Sequence, residues 1–399
     1  SITDNIVHMV LAKIKGAPAG VKGISLFIVP KFRVDAEGNP GERNGVSLAG
    51  LIHKLGYRGT TSTALSFGDD APCHGYLVGE PHQGLKYMFQ MMNEARLGVG
   101  FGAAVIGYRG YMHSLEYAKD RLQGRKPSEK NPESPQVPII EHADVRRMLL
   151  AQKAYSEGGL ALCLYGARLV DDQNTHPEEQ KRLEAGKLLD LLTPVMKAWP
   201  SEYGPKANDL AIQVYGGAGY TREYPVEQCW RDNRLNPIHE GTNGIQALDL
   251  LGRKIWQDQS HGLQLLMQEM QADLEAATTD RCQQWALSLS ETLQQAVKVT
   301  QSLGKSLMGG GNPDDVLANA ACYLHLFGHI TVAWMWLRQA NAAAKALESA
   351  ASEDEQNFYN GKLQAAQYFF HWELPTVAQD LVLLRNQDDT CLNMKAEWF

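Results

Sequence analysis

The apolar positions fall into three successive patterns. From residue 4 to about 80, short β-branched segments, Ile6 to Ile14, Ile24 to Val29 and Thr63 to Phe67, are separated by Gly-Ala-Pro-Ala-Gly, Glu-Gly-Asn-Pro-Gly and Gly-Asp-Asp-Ala-Pro. Such runs with such punctuation predict strands and turns, a β domain or part of one. From about Gly84 the period becomes helical. Leu85 to Arg121 reads as one long helix in which Gly98, Gly100, Gly102, Ala103 and Ala104 leave a nearly bare face, suited to close helix packing. Lys126 to Pro138, with four prolines, predicts a surface loop. Helical spacing resumes over Glu141 to about Asp171 and Pro177 to about Leu192, enough for a bundle, and Pro194, Pro200 and Pro205 are expected to break or kink the segment beyond Leu192.

Beyond Ile255 the composition shifts toward Gln, Ala and Leu, and four helical segments are expected at roughly 261–277, 280–307, 313–350 and 354–386. The chain therefore divides into 1–83, 84–257 and 258–399, an α+β protein that is mostly α, with the last part a separate helical domain. Ala320 to Leu337 is the one stretch that resembles a membrane span. It carries His325 and His329 and falls short of the ~20 uninterrupted apolar residues a span needs, so it reads as a buried helix.

Composition narrows the class. With 44% hydrophobic and 21% charged residues the 399-residue chain is globular, and a net charge of -7 argues against nucleic acid or an anionic membrane as partner. Six scattered cysteines without C-x-x-C suggest a reduced, cytoplasmic setting rather than a disulfide framework or zinc site. His325 and His329 are four residues apart, but Leu326 stands where a metalloprotease helix needs Glu, so they are expected in a core or interface and no metal is expected. The chain opens on a strand pattern as if in mid-domain, without a targeting signal, and upstream sequence is expected to precede it.

Chemistry concentrates between Gln213 and Lys254. Gly216, Gly217 and Gly219 allow a backbone to come close to something bulky. They fit neither the dinucleotide fingerprint nor a P-loop. Glu240, in His-Glu-Gly-Thr-Asn-Gly, lies in a polar turn before an amphipathic run, and Asn243 with Gln246 three residues on reads as a helix start. Read from the residues alone, Glu240 is either an ordinary loop acid or a catalytic carboxylate, beside a backbone docking site of unknown ligand.

Taken together, Gln213-Val-Tyr-Gly-Gly-Ala-Gly-Tyr, Glu223-Tyr-Pro-Val-Glu, Arg231-Asp232 and Ile238-His-Glu-Gly-Thr resemble the C-terminal signature of the acyl-CoA dehydrogenase family. Arg96 in Asn-Glu-Ala-Arg and Asp120-Arg-Leu-Gln-Gly are similar to the helices that precede it. The resemblance covers roughly residues 4 to 255, and the remainder is similar to the extra helical domain of the family's larger bacterial members. It implies a partial middle β domain and a four-helix bundle, with the first helical domain and the β segment used against the flavin ring outside this sequence.

The resemblance also implies roles. Glu240 would be the base that takes the α-proton of an acyl-CoA, while hydride passes to FAD and leaves the trans-2-enoyl thioester. Relatives with the base on the earlier helix place it where Ala95 stands here, and Ala95 cannot act. Arg121, Gln213 and Gly217 would contact FAD, partly across a dimer interface, and Thr242 its pyrophosphate. Asn93, Arg96, His239 and Gly241 would meet substrate. Gln228 in place of the usual Lys or Arg, His239 in place of Tyr, and the missing Phe after Arg121 are departures. Implied partners are acyl-CoA, an electron-transfer flavoprotein and further copies of the chain, as a homodimer or dimer of dimers, in a bacterial cytoplasm. An acyl-CoA oxidase or other flavin oxidase on the same fold, and a non-catalytic helical scaffold, stay open as alternatives.

Overall fold

A computed structural model of the protein describes residues 3–399, the side chains of Gln90, Met91 and Asn93 excepted. It falls into two compact units, Ser1–Ala95 and Arg96–Phe399.

In the first unit, β1 (Val7–Lys13) pairs antiparallel with β2 (Ile24–Pro30), and β2 pairs with β7 (Tyr76–Val78) in a three-stranded sheet of order β1-β2-β7. Two hairpins lie between them in sequence: β3 (Phe32–Val34) with β4 (Pro40–Arg43), and β5 (Val46–Leu51) with β6 (Thr63–Phe67). The three strands expected from the pattern are β1, β2 and β6. The buried Asn44 ties the connections together. Its amide donates to Pro30 O at 2.9 Å and His74 O at 2.8 Å and its Oδ1 accepts from His74 N at 2.8 Å, which satisfies a polar group that burial alone would penalise.

The second unit is helical. The boundary between units falls within α1 (Gly84–Asp120), which is followed by α2 (Ala143–Thr175), α3 (Glu179–Tyr215), α4 (Val226–Asn233) and α5 (Asn243–Gly252). Then come α6 (His261–Glu275), α7 (Asp280–Met308), α8 (Pro313–Leu317), α9 (Ala320–Leu347), α10 (Glu353–Tyr368) and α11 (Val377–Asn386). The expected 313–350 segment divides into α8 and α9, and 354–386 is interrupted near Pro375 by a π turn over Phe369–Glu373 and a 3-10 turn.

One expectation is corrected here. Pro194, Pro200 and Pro205 do not break the chain's helical course but lie inside one continuous helix, α3, and at Pro200 neighbouring helices take over what the ring removes. The Met196 carbonyl, which Pro200 cannot bond, turns toward Cys163 Sγ at 3.9 Å and toward Gly100 of α1, where a Cβ would overlap it. That explains one glycine of the bare face. Gly98 and Gly102 instead have open space beside them.

The C-terminal helices share one core with the bundle. Trp336 of α9 is fully buried and donates Nε1 to Ala154 O of α2 at 3.1 Å, in a position that a Cβ on Gly158 would occupy. Trp334, also on α9, donates Nε1 to Asp273 of α6 at 2.7 Å. Among the described residues α9 is the one helix long and apolar enough to cross a membrane, and its most apolar window is 83% buried inside the protein.

Candidate active site

Glu240 stands exposed in the turn between α4 and α5. The turn folds back on itself: His239 N donates to Leu235 O at 3.0 Å and Asn243 N to Pro237 O at 3.1 Å. Gly241 has φ +73°, and a Cβ there would meet Gln246 Nε2 at 2.6 Å and the Arg96 guanidinium at 3.4 Å. Glycine is thus required both by the left-handed backbone and by the side chains beneath it. Gln246, fully buried, donates to Gly241 O at 2.9 Å.

The helix start is one residue earlier than expected. Thr242 is the N-cap of α5, its Oγ1 accepting from Ile245 N at 3.5 Å. Asn243 cannot cap, because its side chain is engaged elsewhere: Oδ1 accepts from Lys197 Nζ at 3.1 Å, and Nδ2 donates to Ala198 O at 3.4 Å and Glu202 Oε2 at 3.5 Å.

Beneath the turn lies a layer of charge. Arg96 is buried, with its Nη1 3.5 Å from Asp249 Oδ2 on α5, and Asp249 also receives Arg253 at 2.7 Å. Arg96 thus lies beneath the turn that carries Glu240. The Asn93 side chain lies outside the described residues. Lys197 is fully buried on α3, and burial first, then the Arg96 charge, push its ammonium down to about 8. Burial, followed by the Lys197 charge, lowers the half-buried His239 imidazole below its ordinary value, so the ring is neutral at pH 7.

A second cleft, of about 710 Å³, is lined by Arg121, Gln213, Gly216, Gly217, Tyr117 and His142 among others. It brings Arg121, Gln213 and Gly217 together, and Thr242 is not among its lining residues. The glycine cluster divides by purpose. Gly216, φ +60°, ends α3; Gly219 packs so closely on Ile212 that a Cβ would stand 2.6 Å from its carbonyl; Gly217 has nothing within 4 Å of its Cβ position. Of the three, Gly217 is the one whose bareness neither its backbone angle nor its packing requires.

The remaining motif residues are structural. Arg231 holds Glu227 through two bonds, at 2.5 and 3.0 Å, and the buried Asn233 donates to Asn208 Oδ1 and Ala103 O. His325 and His329 lie where α9 meets α3. His325 bonds Asp380 at 2.6 Å and shares a hydrogen bond with the Tyr203 hydroxyl at 2.9 Å. His329 is buried and, mainly through that burial, depressed to about 3. Among the described residues no cluster of three or more His, Cys, Asp or Glu could hold a metal, and all six cysteines are free thiols.

Sequence reasoning missed Lys197, Gln246 as a brace, and Asp249. One signal for Lys197 was present: it is the only charge in the apolar run Leu191 to Trp199.

Residues 82–256 match the family described as acyl-CoA dehydrogenase, C-terminal domain, and residues 266–395 the family described as acetyl-CoA dehydrogenase C-terminal like. The chain is 35% identical over 402 residues to the broad-specificity linear acyl-CoA dehydrogenase FadE5 of Mycobacterium tuberculosis, covering 98% of this chain and 66% of that protein. It is 36% identical over 373 residues to the 3-methylmercaptopropionyl-CoA dehydrogenase of Ruegeria pomeroyi, covering 92% and 61% respectively. Among solved structures, Caenorhabditis elegans ACDH-11 superposes with a TM-score of 0.75 at 19% identity, over 98% of this chain and 58% of that one. A Bacillus anthracis acyl-CoA dehydrogenase complexed with FAD gives 0.71 at 21% identity, over 97% and 62%. The chain spans just under two thirds of the length of these curated relatives.

Proposed function

The chain belongs to the acyl-CoA dehydrogenase family and has its fold, and on that premise we propose that it serves the FAD-dependent α,β-dehydrogenation of an acyl-CoA thioester to the trans-2-enoyl-CoA. Glu240 is the base in this reading. The observation that carries it is the built turn: a carboxylate at the head of α5, braced by Gln246, Arg96 and Asp249. An ordinary loop acid needs no such support.

Removing a proton α to a thioester at neutral pH calls for a positioned carboxylate, a general base contributing ~10² to 10⁴ in rate. Glu240 accepts that proton. Among the described residues its backbone N–H has no acceptor, which leaves it available to a thioester oxygen as negative charge develops there. His239, neutral and half-buried, contributes shape and a hydrogen-bonding edge beside the base, without charge. Gly241 keeps the backbone at the base free of a side chain.

FAD, when bound, supplies the hydride acceptor. The residues fit it: the cleft offers the bare Gly217 backbone, the Gln213 amide and the Arg121 guanidinium, a set suited to the phosphate and adenosine end of a dinucleotide. Thr242, its hydroxyl at the head of α5, is suited to the pyrophosphate. The reading includes a homodimer or dimer of dimers, in which cofactor is shared between subunits. An electron-transfer flavoprotein takes the electrons, and six free thiols suit a reduced cytoplasm.

Glu240→Gln tests the reading. The variant should retain FAD while anaerobic bleaching of the flavin by acyl-CoA slows by ~10² to 10⁴; bleaching at the wild-type rate would remove Glu240 from the role of base.

A further inference from the structure

Lys197 is a cation in the wrong place for stability. Its ammonium is fully buried in the middle of α3, and among the described residues no carboxylate forms an ion pair with it. Among the described residues its one hydrogen bond goes to Asn243 Oδ1, at 3.1 Å, which leaves two of its three N–H groups without an acceptor there. A buried ion without a counter-charge costs several kcal/mol, and an apolar side chain of the same length would pack there without that cost. Its location supplies what stability does not. It bonds the residue three positions after Glu240, and its charge acts on the residue immediately before it.

The charged and titratable groups around it come from three elements. Arg96 of α1 lies near enough to oppose its charge and is itself engaged by Asp249 of α5. His239 faces it from the turn. Glu202, one turn along α3, reaches the same Asn243 side chain and is also 3.2 Å from Lys206. Lys197 is thus the point at which α3, α5 and the base turn are joined through polar groups.

We propose that Lys197 is a positioning residue for the base turn: its buried ammonium clamps Asn243 at the head of α5, fixing the backbone from which Glu240 works. The clamp acts through other residues and does not touch substrate. It rests on the dehydrogenase reading for its catalytic consequence, but not for its structural one.

The test uses the full-length flavoprotein with Lys197→Met, Asn243→Ala and the double variant. Removing either end of the clamp should lower kcat by ~10- to 100-fold with KM nearly unchanged, since a small displacement of a catalytic group costs about that much. Because one link is cut in each case, the double variant should lose no more than the worse single variant. A titration of the His239 imidazole by NMR gives a second readout, independent of turnover. Its pKa should rise in Lys197→Met, which removes the charge, and stay in place in Asn243→Ala, which retains it.

A Lys197→Met enzyme with wild-type kcat, losses that multiply in the double variant, or a His239 titration indifferent to Lys197 would each overturn the clamp. Should wild-type protein fail to oxidise any acyl-CoA while His239 still follows Lys197, the dehydrogenase reading falls and the clamp stands.

Discussion

The two ends of the Gln213 to Lys254 stretch are built on opposite principles. At the glycine end, the cleft around Gly217 is shaped by bare backbone, and its lining is open and only lightly charged. At the glutamate end, the turn is shaped by buried charge: Lys197, Arg96 and Asp249 lie beneath it, and Gly241 has no room for a methyl group. On the proposed function, the difference reflects the task of each end. A large ligand can be cradled by surface that yields, whereas a base must stay within a fraction of an ångström of its proton. The cleft should therefore tolerate substitution with loss of ligand, and the turn should not tolerate it without loss of fold or rate.

The largest expected effect is at Arg96. Arg96→Met leaves Asp249 buried with only Arg253 beside it, and should destabilise the protein by about 3–5 kcal/mol in chemical denaturation, the range for removing one partner of a buried pair. A loss below ~1 kcal/mol, the range of exposed pairs, would show that the turn does not depend on the charge beneath it.

The buried ammonium gives a slightly smaller and pH-dependent signature. The folded protein holds Lys197 down at about 8, against 10.5 for the ordinary amine, so between these values the unfolded chain binds more protons. Stability should accordingly rise with pH from 8 to 10.5, by about 3 kcal/mol if this group acts alone. Lys197→Met should flatten that rise and be the more stable protein at pH 7. A curve that keeps its slope in the variant would place the titration elsewhere.

The smallest effects separate the glycines. Gly219→Ala forces a Cβ against the Ile212 carbonyl and should cost about 1–3 kcal/mol, as overpacking does. Gly217→Ala meets nothing within 4 Å and should leave stability within ~0.5 kcal/mol while weakening FAD retention on dilution. Equal stability losses at the two positions would show that Gly217 is a packing glycine like Gly219 and not a bare part of the cleft.

Much of this was legible from sequence where a local rule and the tertiary structure agree. Thr63–Phe67 is a strand as expected, and α1 runs one residue to the N-terminal side of its expected Leu85–Arg121 at each end, because β-branched runs between turn residues and small-residue helical faces carry their own signal. Arg121, Gln213 and Gly217, to which the family resemblance gives a common role, line one cleft. The rest depended on contacts distant in sequence. Asn243 loses the cap to Thr242 because Lys197, 46 residues earlier, takes its side chain. The prolines of α3 read as breaks because the donor to the Met196 carbonyl, the Cys163 thiol, is on another helix. The ion pair of Arg96 with Asp249, 153 residues later, is likewise not visible in the local sequence.

The three prolines of α3 also bear on the order of folding. A helix of 37 residues that lacks three amide donors, with Pro200 at its middle, cannot propagate by its own hydrogen bonds across those points. Its N-terminal and C-terminal halves would nucleate separately and join only once the glycine-bearing α1 lies against the freed Met196 carbonyl. An excised α3 peptide should thus be largely coil in water, and the last stretch of this helix to become protected from hydrogen exchange during refolding should be the one that carries Lys197.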